Sequence, residues 1–83
     1  MTDMSAVQEA DPGQTLLDIY DETLPQVFAY LRRRCSLDDV EDLTAETFMA
    51  AVTSIDRGAV TEVTTAWLIG IARNKLVGHW RRA

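Results

Sequence analysis

The chain has 83 residues, 47% of them hydrophobic and 25% charged, which suffices for one marginally stable domain with a single core. It carries no apolar run that would span a bilayer and no signal-peptide opening, so it reads as a cytoplasmic protein with no membrane partner. One cysteine (Cys35) and one histidine (His79) exclude an internal disulfide and a Cys/His metal cluster, and the net charge of −5 argues against a general nucleic-acid binder.

Residues 1–13 are small, acidic and polar and end in Pro-Gly, the composition of a disordered lead-in before an ordered domain over 14–83. A first helix is expected from about Gln14 to Cys35. Leu17, Tyr20, Leu24, Phe28 and Leu31 recur at spacings of three and four, with Ile19, Val27 and Tyr30 broadening the stripe. Pro25 falls inside it, and an interior proline costs roughly 3 kcal/mol, so the helix either kinks there or restarts. Arg32, Arg33 and Arg34 suit the negative end of its dipole.

Ser36 is the expected N-cap of a second helix, with Asp38 and Asp39 in its first turn. Val40, Leu43, Phe48, Ala51, Val52 and Ile55 form its apolar side. The stretch 56–63 breaks the period at Gly58. Thr64 or Thr65 then caps a third helix to about Arg82, with Leu68, Ile71, Ala72 and Leu76 or Lys75 facing inward. Nothing alternates with period two. The fold class is therefore all-α, a compact three-helix bundle.

Charge is unevenly spread along these elements. Residues 1–62 hold all 13 acids and four arginines, a balance of −9, whereas residues 63–83 hold Arg73, Lys75, Arg81 and Arg82 with no acid, a balance of +4. Two segments follow from this. Val40 to Phe48 is a helix with an acidic, hydroxyl-rich outer face, which repels DNA and suits either solvent or a basic protein surface. Thr65 to Arg82 combines basic side chains for phosphates, Asn74 for a base edge and tryptophans for stacking, as melted DNA requires. Trp67 and Trp80 serve equally well as packing residues. No His, Ser or Lys stands in a catalytic constellation with the carboxylates, so no active site is expected.

The two segments together resemble the second conserved region of the sigma-70 family, in its extracytoplasmic-function (ECF) group. The matching residues are Glu41-Asp42-Leu43-Thr44, Glu46 and Phe48, then Trp67-Leu68, Ile71-Ala72-Arg73-Asn74, His79 and Arg81-Arg82. The resemblance implies a domain that docks on the clamp helices of the β′ subunit of core RNA polymerase through Asp42, Leu43, Glu46, Thr47 and Phe48. It implies that Arg57, Arg73, Asn74, Lys75, His79, Trp80, Arg81 and Arg82 meet promoter DNA, mainly the non-template strand of the minus-ten element. There a base is flipped at a cost of a few kcal/mol of unstacking. An anti-sigma factor is a further candidate partner, and no cofactor is implied. A complete family member continues into a helix-turn-helix domain, region 4, which is not expected within these residues.

Ala45 stands where the family usually has glutamine and Gly78 where it often has aspartate, and the loop lacks a frequent aromatic. A glycine within a helix costs about 1 kcal/mol relative to alanine, so the end of the third helix is expected to fray. These departures motivate an alternative, a sigma-like interaction module (a decoy or an anti-sigma target) that does not open promoters. A third reading is an unrelated helix-turn-helix domain, against which stands the long loop between helices two and three.

Overall fold

A computed structural model describes residues 11–82, which form three helices and no strand. These are α1 (Pro12–Arg32), α2 (Leu37–Asp56) and α3 (Thr65–Arg82), each packed on the other two. The all-α three-helix bundle is as expected. Its core is Leu16, Val27 and Leu31 from α1, Val40, Leu43 and Ala51 from α2, Leu68, Ala72 and Leu76 from α3, and Val63 from the loop before α3.

α1 starts two residues before Gln14. The Asp11 carboxylate accepts hydrogen bonds from the Gly13 and Gln14 N–H groups at 3.0 and 3.4 Å, and Pro12 occupies the first turn. Pro-Gly thus opens the helix instead of preceding it, because a proline there gives up an N–H that has no intrahelical partner anyway. The lead-in expected over 1–13 lies, for residues 1–10, outside the described residues. The helix runs on as one element through Pro25. Pro25 and Asp21, whose carbonyl loses its usual donor, are both exposed, so water can satisfy that group.

The buried stripe of α1 agrees with the one read from spacing at Val27 and Leu31 but departs from it toward the start of the helix. Leu17 is 72% exposed, and the buried residues are Leu16, Thr23, Val27 and Leu31. There the stripe is turned by one residue, roughly 100° on a 3.6-residue helix. Apolar residues cover two adjacent faces of α1, and the core takes the face with the smaller, non-aromatic side chains. Thr23 fits there because its hydroxyl donates to the Ile19 carbonyl at 2.9 Å, leaving a valine-like surface.

α2 shows the same device twice. Thr44 and Thr47 are buried, and their hydroxyls donate to the Val40 and Leu43 carbonyls, each at 2.8 Å. Val52, expected inside, is 48% exposed. Ser36 has the extended backbone of an N-cap, but its side chain caps no N–H; its hydroxyl donates to the Asp39 carboxylate at 2.9 Å. After α2, Gly58 turns the chain with φ +71°, a left-handed conformation that glycine adopts without strain. Buried Val63 and half-buried Val60 then pin the loop to the core. α3 is capped by Thr64, whose hydroxyl accepts from the Trp67 N–H at 3.1 Å, and it continues unbroken past Gly78 to Arg82.

Candidate functional site

The sequence of α2 contains six acids and no base. Asp42 and Glu46, expected at a polymerase contact, lie exposed on its outer side, with Phe48 half-buried at the edge. Leu43 and Thr47, assigned to the same contact, are 2% and 0% exposed. They hold the helix on the core and leave a partner nothing to touch. The acidic face is thus made by Asp38, Glu41, Asp42 and Glu46 over an apolar floor.

Beside that face, α1 and α2 enclose a groove of about 650 Å³ lined by Tyr20, Leu24, Pro25, Phe28, Glu41, Thr44, Ala45 and Phe48. Tyr20 meets Phe48 edge-to-face, with ring centroids 5.1 Å apart. Tyr20, Leu24 and Phe28 belong to the stripe read from the sequence as core; Phe28 packs at the edge of the core, and the three together wall this groove. Ala45 also lines the groove, and its small side chain leaves the space open. Met49, 68% exposed, extends the apolar surface with Val52 beyond Phe48. Spacing alone missed this surface, although two adjacent apolar faces on one helix are a legible sign that more than a core is being built.

α3 carries no acid. Arg73, Asn74, Trp80 and Arg81 are exposed and share one side of the helix, whereas exposed Arg82 and half-buried Lys75 fall well round the helix from that strip. Trp80 is 53% exposed, free to stack, whereas Trp67 packs partly buried against the core. Arg57 is exposed at the C-cap of α2, where the loop begins. Four of the eight residues expected to meet DNA, Arg73, Asn74, Trp80 and Arg81, therefore share one strip of α3.

His79 is set apart. It turns toward α2, with Nε2 3.1 Å from Oδ2 of Asp39, forty positions earlier in the chain. The same Asp39 oxygen accepts from Ser36. Nearby, Cys35 is a free, half-buried thiol whose pKa is raised, first by burial and then by the negative charge of Asp39. Such a thiol is protonated and sluggish at neutral pH.

The family model of Sigma-70 region 2 matches residues 19–83. The chain belongs to that family. Among curated proteins it is similar to an ECF RNA polymerase sigma factor, SigF, of Caulobacter vibrioides (strain NA1000 / CB15N), being 43% identical over 56 residues. That match covers 65% of this chain and 31% of the relative, so the chain spans about a third of that protein's length. No solved structure matches. Among the described residues, no helix is long and apolar enough to cross a membrane.

Proposed function

We propose that this sigma-factor domain docks on core RNA polymerase through α2 and engages the melted minus-ten element through α3. The observation that supports it best is the opposition of charge on one small bundle: every acid of these two helices is on α2, every base on α3. A basic helix of the polymerase clamp would lie along Asp42 and Glu46, with apolar side chains reaching the groove beside Phe48. The non-template strand would follow Arg73, Asn74 and Arg81, with phosphates held by arginine and a base stacked on Trp80. An anti-sigma factor using the same acidic face is a compatible second protein partner.

A sigma-like module that docks without opening promoters is the competing reading, favoured by Ala45, which gives the groove no polar side chain where the family usually has glutamine. Titration of the chain with core polymerase at two salt concentrations, with Glu46→Arg as control, tests docking. Binding that weakens with salt and fails in Glu46→Arg supports the proposal. Absence of binding by a folded, helical protein overturns it. A minus-ten oligonucleotide added to the bound complex separates promoter engagement from docking alone.

A further inference from the structure

The core stops before α3 does. Leu68, Ala72 and Leu76 fall four residues apart and carry the buried side of the helix, and Leu76 is the last buried residue. Six described residues follow it, Val77 to Arg82, and they include a helix-weakening glycine and the exposed Trp80, Arg81 and Arg82. The next inward position, three after Leu76, is His79. There the apolar stripe is replaced by a polar bond, His79 Nε2 to Asp39 Oδ2 at 3.1 Å. Asp39 is itself held by the Ser36 hydroxyl. The carboxylate accepts this bond from a protonated imidazole or from the neutral tautomer that carries its proton on Nε2.

We infer that His79 is a positioning residue: by clasping Asp39 it fixes the last turn of α3 on the first turn of α2, and so sets where Trp80, Arg81 and Arg82 are presented. The inference rests on the reading of α3 as the nucleic-acid strip, and it removes His79 from the strip's direct contacts. It also ties the two charged helices together, since one of α2's own acids is the anchor. Both side chains are about a third exposed, 30% and 38%, so the effect is modest.

The test uses His79→Ala, Asp39→Ala and the double variant, each bound to core polymerase and titrated with a single-stranded minus-ten oligonucleotide. The expected loss is about three- to fivefold for either single change, and the double variant falls no further, because both remove one interaction. His79→Gln, which keeps a donor, recovers part of the loss. Amide hydrogen exchange over 77–82 quickens in both single variants while that around Leu68 is unchanged. A full loss in His79→Ala with none in Asp39→Ala makes His79 a DNA contact and overturns the inference, as does strict additivity. Unchanged exchange overturns it too. If exchange quickens but the unaltered complex binds no oligonucleotide, the clasp stands and the nucleic-acid reading of α3 fails instead.

Discussion

α2 and α3 are of similar length, 20 and 18 residues, yet they are held differently. α2 buries Val40, Leu43, Thr44, Thr47 and Ala51, so its acidic face is backed by core for more than half its length. α3 buries three residues and carries its outermost aromatic and basic groups beyond the last of them. An acidic face backed by core suits docking on a preformed protein surface, where complementarity of charge and shape is set in advance. A basic strip whose end is held by one polar bond suits a ligand that must be opened and followed. The difference lies first in where the apolar stripe runs out, and Gly78 in the last turns of α3 adds to it.

Substitutions in the core and on each face separate the two helices' roles. The largest effect should come from Leu68→Ala, a core residue with no exposure, which touches neither face. It should cost about 2–5 kcal/mol. Both binding activities should fall together with the melting temperature, because in a domain this small that is a large share of the total stability. A melt that leaves one face active would show that the helices do not share one core.

Glu46→Arg should act on one face only. A reversed charge on an exposed docking surface should weaken core-polymerase binding by roughly tenfold or more at low salt, with helicity by circular dichroism unchanged. The converse is Arg73→Ala with Asn74→Ala. Losing one phosphate contact and one base-edge contact should cost about 1–3 kcal/mol of oligonucleotide affinity with docking intact. Should either change impair both partners equally, the separation of faces would be lost.

Ala45→Gln should have a smaller effect, about two- to threefold on docking, by filling the groove between Tyr20, Phe28 and Phe48. A gain instead would mean that the amide contributes a contact the alanine lacks. The smallest effect concerns Cys35. Its raised pKa predicts slower alkylation at pH 7 than a free thiol, and Asp39→Ala should quicken it slightly by removing the nearby charge. Because the neutral thiol is favoured when folded, its share of stability is present below the ordinary thiol pKa and lost as pH rises through the higher folded value. A melting temperature flat across that alkaline range would show the share to be negligible.

Much of the bundle was legible in the residues alone. The breaks at Ser36 and Gly58, the threonine cap before Trp67 and the absence of any two-residue period lead to three helices, because caps, turns and periodicity are local properties. The opposition of charge is equally local, since acids and bases are segregated along the chain. The family motifs follow the same order.

Which side of each helix faces in was settled by packing. On α1, two apolar stripes one residue apart were both eligible, and packing chose Val27 over Phe28 because compact branched side chains fit between three close helices. That choice left Tyr20 and Leu24, with Phe28 at the edge of the core, to wall the groove. On α2, Thr47 looks like a surface hydroxyl until its bond to Leu43 makes it a core residue. On α3, His79 reads as part of a basic strip until the fold brings Asp39 to it from forty positions away. Each depends on a partner that is not its neighbour in sequence, and a partner of that kind exists only once the helices have packed.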